Sequence, residues 1–277
     1  MTSRPQKPER AQQHQPGEDG EGGDDPEHGE AAGGASPLRL ARIAGALYLI
    51  NIVGGAFAIG IVQARLFTPD PAATAHNIQS HELLYRSGLA AHIVVTVTNV
   101  PLALILYELF KVVNRRLALL DAFFILVATA IEAAGLVNQF APLVLLGSDT
   151  YINALPAAQL QALAALPWAL SDASYNIYTV FFGLDLLCLA YLVLRSRFLP
   201  SAIGVLLVID GMAYLIYSFT QVLAPGIAAG LVPWIQLPAP VAEGALSLWL
   251  LVRGVNTQRW TTRAGGALRG PSAQTPT

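Results

Sequence analysis

Apolar residues recur along this chain in six long blocks separated by short polar stretches. A helix that crosses a bilayer needs about 20 mainly apolar residues. Six stretches answer to that: Ala41–Val62, Gly88–Phe110, Leu117–Leu146, Leu170–Leu194, Ser201–Leu223 and Trp234–Val252. The first carries Asn51 and a Gly54–Gly55 pair, and the second carries Pro101 near its middle. Pro200 precedes the fifth, where its fixed φ suits a helix start. Pro238 and Pro240 interrupt the first half of the sixth, so regular helix is expected there only after Pro240. The pattern predicts an all-α, polytopic transmembrane helix bundle of about six spanning helices. Two shorter pieces lie between the blocks. Asp70-Pro71 reads as an N-cap and a first-turn proline, opening a helix expected to run through His76 and Ile78 to Arg86. Thr150–Leu166 reads as a second amphipathic piece, with Gln159 and Gln161 on its wet side.

Residues 1–36 break this pattern. They are Gly, Pro, Gln, Glu and Asp with no apolar run, and hold 8 of the 18 acids against 3 of the 16 bases. Such a segment buries too little apolar area to offset chain entropy, so a disordered acidic tail is expected. The first apolar block starts near Ala41 and is long enough to span, so it is expected as a retained helix rather than a cleaved signal. The chain divides into the tail (1–36), a transmembrane domain (37–256) and a C-terminal tail (257–277).

Composition supports the membrane reading. The 277 residues are 54% apolar and 12% charged, against about 45–50% and about 25% in soluble domains. So few charges cannot solvate the surface of a large soluble enzyme. A single cysteine, Cys188, excludes a disulfide framework. Without a basic face, no nucleic-acid partner is expected. The bilayer is the expected partner, together with an unidentified small molecule or protein.

Loop charge gives the orientation. Lys and Arg favour the cytoplasmic side. Arg39 and Arg42 flank the first block, Lys111, Arg115 and Arg116 fill the turn after the second, and Arg195 and Arg197 follow the fourth. Arg253, Arg259, Arg263 and Arg269 follow the sixth; the 63–87 connection holds two bases, Arg65 and Arg86, and 147–169 and 224–233 hold none. The alternation fits six spans in a cytoplasmic (plasma) membrane, with both termini cytoplasmic.

Several short motifs point to a family. Arg42-Ile43-Ala44-Gly45 is followed by Tyr48-Leu49, and Ala72 to Ile78 reads Ala-Ala-Thr-Ala-His-Asn-Ile. Leu106-Tyr107 precedes Lys111-Val112-Val113-Asn114-Arg115. Phe181-Phe182-Gly183-Leu184, Tyr191-Leu192, Arg195-Ser196, Leu199-Pro200, Gly204 to Leu207, Gly211 and Tyr214-Leu215 form the most specific block. Over about residues 40–255 the chain resembles the bacterial integral-membrane family called domain of unknown function 4386. Asp185 and Asp210 are more acidic than that pattern leads one to expect. The resemblance implies a bacterial multi-helix membrane protein and brings no assigned activity or catalytic residue.

Four acids fall near mid-block: Glu132, Asp185, Asp210 and Glu243. A mid-membrane Asp costs about 2.5–3.5 kcal/mol on insertion scales, so such residues are functional candidates by default. No Lys or Arg lies at their depth. The choices open to them are a protonated carboxyl, a hydrogen-bonded cluster or a bound cation. Polar residues spaced by four, seven and eleven share one helix stripe. Asp121, Glu132 and Gln139 do so, as do His92, Thr96 and Asn99, then Asp210, Tyr214, Tyr217 and Gln221, and Gln236, Pro240, Glu243 and Ser247. In the fourth block Asp172 and Asp185 point nearly opposite ways, so one is expected outside the shared cavity. Glu132, Asp185, Asp210, Glu243, His92, Asn99, Tyr214 and Gln139 are therefore the candidate ligand- or proton-binding residues. Intramembrane polar stripes avoid lipid, so they should converge inside the bundle.

No nucleophile elbow, paired-histidine zinc helix or phosphate loop occurs, and no metal, cofactor or catalytic role is expected. His76 and His81 are five apart and do not share a helix face. Cys188 is expected to pack among leucines. Trp168, Trp234, Trp249 and Trp260 suit interfacial anchors, and Gly204, Gly211 and Ser218 suit close helix packing. Two readings stay open. One is a small-molecule or proton-linked carrier using the polar interior. The other is a non-catalytic structural or partner-holding membrane protein, whose polar groups bond across helices for about 0.6 kcal/mol each.

Overall fold

The computed structural model describes residues 36–268, so the acidic-tail expectation for residues 1–36 falls almost wholly outside it, as does the last stretch from 269. Among the described residues every regular element is a helix. The first, α1 (Pro37–Leu66), has a π-helical stretch at Ala56–Gln63. Then come α2 (Pro71–Ser80), α3 (Glu82–Phe110), α4 (Arg115–Asn138), α5 (Ala141–Gly147) and α6 (Asp149–Ala154). The chain continues as α7 (Ala157–Ser196), α8 (Ser201–Leu223), α9 (Pro225–Ile235), α10 (Pro238–Val252) and α11 (Thr257–Leu268).

Five of these are long and apolar enough to cross a membrane: α1, α3, α4 continued through α5, α7 and α8; α10 is a shorter apolar helix. At 1.5 Å per residue α10 is about 22 Å long, short of the roughly 30 Å hydrocarbon core. Its sequence explains why it forms at all. Pro238 and Pro240 both fall in its first turn, where no intrahelical N–H bond is lost. The regular helix thus begins at Pro238, three residues before the start expected after Pro240, and the break lies at Gln236–Leu237. The base-free 224–233 stretch is itself mostly helix.

Other boundaries also move. Asp70 caps α2 by accepting from Ala72 N and Ala73 N at 3.2 Å, but α2 stops at Ser80 and Glu82–Arg86 start the next helix. Ala157–Leu166 is not a separate piece: it runs into the span as a 40-residue helix with Pro167 inside it.

The helices pack as a closed ring in the order α1, α3, α4, α7, α8, α10 and back to α1. Two close approaches set it. A Cβ on Gly45 would sit 2.8 Å from the Ser247 carbonyl oxygen, and Ser247 Oγ donates to Gly45 O at 3.0 Å, so α1 and α10 meet backbone to backbone. Gly183 and Gly211 do the same for α7 and α8, where a Cβ on Gly211 would come within 2.8 Å of the Gly183 oxygen. Ser218, seven residues on, bonds Thr179 Oγ1 at 2.7 Å.

Exposure is inverted relative to a soluble protein. Val53, Val97, Leu104, Phe123, Val222 and Val252 lie more than half exposed on the outer faces. His92, Asn99, Asp121, Glu132, Asp185 and Asp210 are buried. A large exposed apolar surface around a polar interior is what a lipid solvent selects, and the protein is membrane-embedded.

The bases gather at one end. Arg39 and Arg42 open α1, Lys111, Arg115 and Arg116 hold the α3–α4 turn, and Arg195 and Arg197 end α7. Arg253, Arg259 and Arg263 follow α10, while Arg65 and Arg86 lie at the other end. Trp260 is a packing residue rather than an outward anchor, since its Nε1 donates to Leu109 O at 3.0 Å and pins α11 to α3. Trp168 likewise turns onto protein, stacked on Phe67 with ring centroids 4.4 Å apart.

Candidate functional site: an acid- and tyrosine-lined chamber inside the ring

The inward stripe of each ring helix can be read from its spacing. On α3, His92, Thr96 and Asn99 are all buried. On α7, Tyr175, Tyr178, Phe182, Asp185 and Leu189 follow one another by steps of three and four, so one face carries three rings and an acid. On α1, Tyr48, Asn51, Ile52, Gly55, Ala56 and Ile59 turn inward. Glu132 comes from α4, Tyr214 from α8, and Pro240 and Glu243 from α10. All six helices therefore line one cavity of about 290 Å³.

Within it, His92 Nε2 and Glu132 Oε1 are 2.8 Å apart. The second Glu132 oxygen is buried and has no partner. Asn51 Nδ2 donates to Asn99 Oδ1 at 2.6 Å, and Thr98 Oγ1 donates to Asn51 Oδ1 at 2.5 Å. Tyr214 Oη donates to Glu243 Oε1 at 3.3 Å. Asp121 on the neighbouring α4 is buried at 2% exposure, with one carboxyl oxygen unpartnered. Among the described residues no Lys or Arg lines the cavity.

The rings form a continuous wall. Tyr175 and Tyr178 stack at 5.6 Å, Tyr178 and Phe182 at 5.4 Å, and Phe182 meets Tyr214 edge-on at 5.2 Å.

A second chamber of about 160 Å³ shares Ile59, His92, Glu132 and Tyr175 with the first and adds Gln63, Gln139, Ser171, Asp172 and Gln236. A third, about 150 Å³, shares Asp172, Tyr175 and Tyr217 with the second and reaches Asn176 and Gln221. The three adjoin, and they run from mid-ring toward the end that carries Arg65 and Arg86, away from the main cluster of bases. The other end is filled. Leu109, Phe110, Leu192 and Val193 are fully buried there, the Phe110 and Phe198 rings are 5.6 Å apart, and Asn256 N donates to Phe198 O at 3.2 Å.

The candidate residues sort by chamber. Glu132, Asp185, Glu243, His92, Asn99 and Tyr214 line the central cavity, and Gln139 lines the second chamber. Asp210 lines none of these chambers. It is 1% exposed, with one carboxyl oxygen unpartnered. Asp172 and Asp185, on opposite sides of α7, serve different chambers. Tyr48, Asn51, Tyr175 and Phe182 also line the cavity, and being uncharged at neutral pH they do not stand out beside the mid-block acids. The three-four spacing of the α7 rings was the signal that could have found the last two.

Residues 43–254 match the family described as domain of unknown function (DUF4386). The chain belongs to this family. The match begins in α1 and ends just after α10, so the family region contains the whole ring and its chambers and leaves out α11. No curated protein and no solved structure matches the chain.

Proposed function

We propose that this DUF4386 protein binds a small molecule in the central cavity and works as a small-molecule or proton-linked carrier. One observation carries the reading: Glu132 lines an open cavity with one carboxyl oxygen at His92 and the other sealed in and without a partner. A buried polar group without a partner costs about 1–3 kcal/mol, a cost that a bound ligand or water would remove. The broken α9–α10 pair adds support, because Pro-interrupted helices beside a mid-membrane acid are a recurring feature of carrier sites. The π stretch of α1, which contains Ile59 of both chambers, is of the kind often found at functional sites.

By the positive-inside rule the arginine-bearing end faces the cytoplasm across the plasma membrane, with both termini inside. Ligand then enters from the opposite face through the Gln63, Gln139 and Gln236 chamber. The partner-holding alternative is favoured by polar pairs such as Thr179 with Ser218, which bond across helices away from the chambers.

The test is a binding screen on detergent-purified protein, read by its unfolding temperature, since a ligand that binds only the folded state raises it. Compounds that stabilise the wild type and not Glu132→Gln support the reading. A broad collection that stabilises neither contradicts it.

A further inference from the structure

The lining chemistry of the central cavity restricts what can occupy it. Three carboxyls face it, from Glu132 on α4, Asp185 on α7 and Glu243 on α10. The one base that lines it, His92, is already bonded to Glu132. An anion would meet carboxyls and no permanent positive charge. A bare metal ion fits poorly as well: among the described residues no group of three His, Cys, Asp or Glu is close enough to hold one. A proton alone leaves a cavity of about 290 Å³ unexplained. That volume is near the lower end of the roughly 300–1,000 Å³ of small-molecule pockets.

The aromatic wall completes the pattern. Ring faces attract cations through their quadrupole, within about 6 Å of the centroid and most strongly where water is excluded. Tyr175, Tyr178, Phe182 and Tyr214 form a linked set of rings beside the acids, with Tyr48 across the ring on α1. Ile52, Ile59, Leu102 and Ile125 add apolar surface for a carbon skeleton. Carboxyls for charge, rings for a desolvated cation and aliphatic side chains for the remainder are a donor set for one chemical class.

We propose that the ligand of the central cavity is a small organic cation. Its ammonium faces the carboxyls of Glu132, Asp185 and Glu243, and its carbon skeleton lies against Tyr178, Phe182 and Tyr214. This rests on the small-molecule-binding reading above and narrows it to a charge and a shape. One Glu132 oxygen is at His92 and the other is sealed in without a partner, so a turn of the carboxyl toward the cavity supplies the acceptor for the ammonium.

The experiment uses four probes that share one ring and differ in charge: benzylamine, benzyltrimethylammonium, benzyl alcohol and benzoate. Each is added at millimolar concentration to the purified full-length protein, and binding is measured by the unfolding-temperature shift and by equilibrium dialysis. The two cations are expected to bind, and the alcohol and benzoate are not. Glu132→Gln and Glu243→Gln should each weaken cation binding about tenfold or more, the scale of one charge-assisted contact. Phe182→Leu, which changes no polar group, should weaken the quaternary probe. Val97→Leu, on a lipid-facing surface 62% exposed, should leave it unchanged. If either Gln variant fails to fold, the Phe182 variant and the four-probe comparison still decide. Binding of the alcohol or benzoate as tightly as the amines overturns the cationic class and leaves the small-molecule reading standing. Binding of none of the four overturns both.

Discussion

At the end of the ring that bears most of the bases, Leu109, Phe110, Leu192 and Val193 are fully buried inside it. At the other end, Gln63, Gln139, Asp172 and Gln236 surround a chamber of about 160 Å³. The backbone differs in the same direction. The π stretch at Ala56–Gln63, Pro167 inside α7, the α4–α5 turn after Asn138 and the Gln236–Leu237 break all lie toward the chambered end. Aliphatic side chains on regular helices interdigitate to close a ring. Irregular backbone interrupts that packing and frees carbonyls that must be satisfied from a water-filled cavity or from protein. The comparison teaches that local helix irregularity, more than the presence of acids, decides where a membrane bundle holds open space.

The largest expected effect is at the sealed end. Phe110→Ala removes a fully buried ring packed on Phe198 and should destabilise by about 3–5 kcal/mol, the range for core phenylalanines, read from unfolding in detergent. Loss of under 1 kcal/mol would mean that this end is not a packed plug. Next is ring closure. Gly45→Leu puts a side chain into the Ser247–Leu251 backbone and should cost about 1–3 kcal/mol, as overpacking does. Gly60→Leu, where a Cβ meets nothing within 4 Å, should cost less by the same assay. Equal costs at the two glycines would break the closed-ring description.

The smallest effect is at the acids. Glu243→Gln keeps a group that Tyr214 can bond, and it should change stability by no more than about 1 kcal/mol, near the scale of an interhelical membrane hydrogen bond. A strongly destabilised Gln variant would mean that Glu243 holds the fold rather than a site.

Much of this arrangement was legible in the sequence. The apolar blocks marked the ring helices, because lipid and length constrain them alike. The stripes put His92, Asn99, Glu132 and Glu243 inside, because a polar group facing lipid is costly. What escaped depends on contacts between helices rather than on any one of them. Ile59 falls on the stripe of Tyr48, Ile52 and Gly55, but that it borders two chambers depends on Gln63, Gln139 and Gln236 arriving from three different helices or helix ends. Trp260 looked like an interfacial anchor, and only the position of Leu109 makes it a clasp. Asp210 shares its stripe with Tyr214 yet stays outside the chambers, since the approach of Gly211 to Gly183 sets the roll of α8 against α7.

The most direct test of one open end and one sealed end uses the single cysteine. With Cys188 replaced by Ala, Ser171→Cys reports the second chamber, Asn99→Cys the central cavity and Leu192→Cys the plug. Each variant, in membranes, is exposed to a small charged thiol reagent, and the labelling rate is compared with that after denaturation. Ser171→Cys and Asn99→Cys should label in the folded protein, and Leu192→Cys should label only when unfolded. Labelling at Leu192→Cys as fast as at Ser171→Cys, or none at Asn99→Cys, would contradict a hydrated chamber closed at the arginine-bearing end.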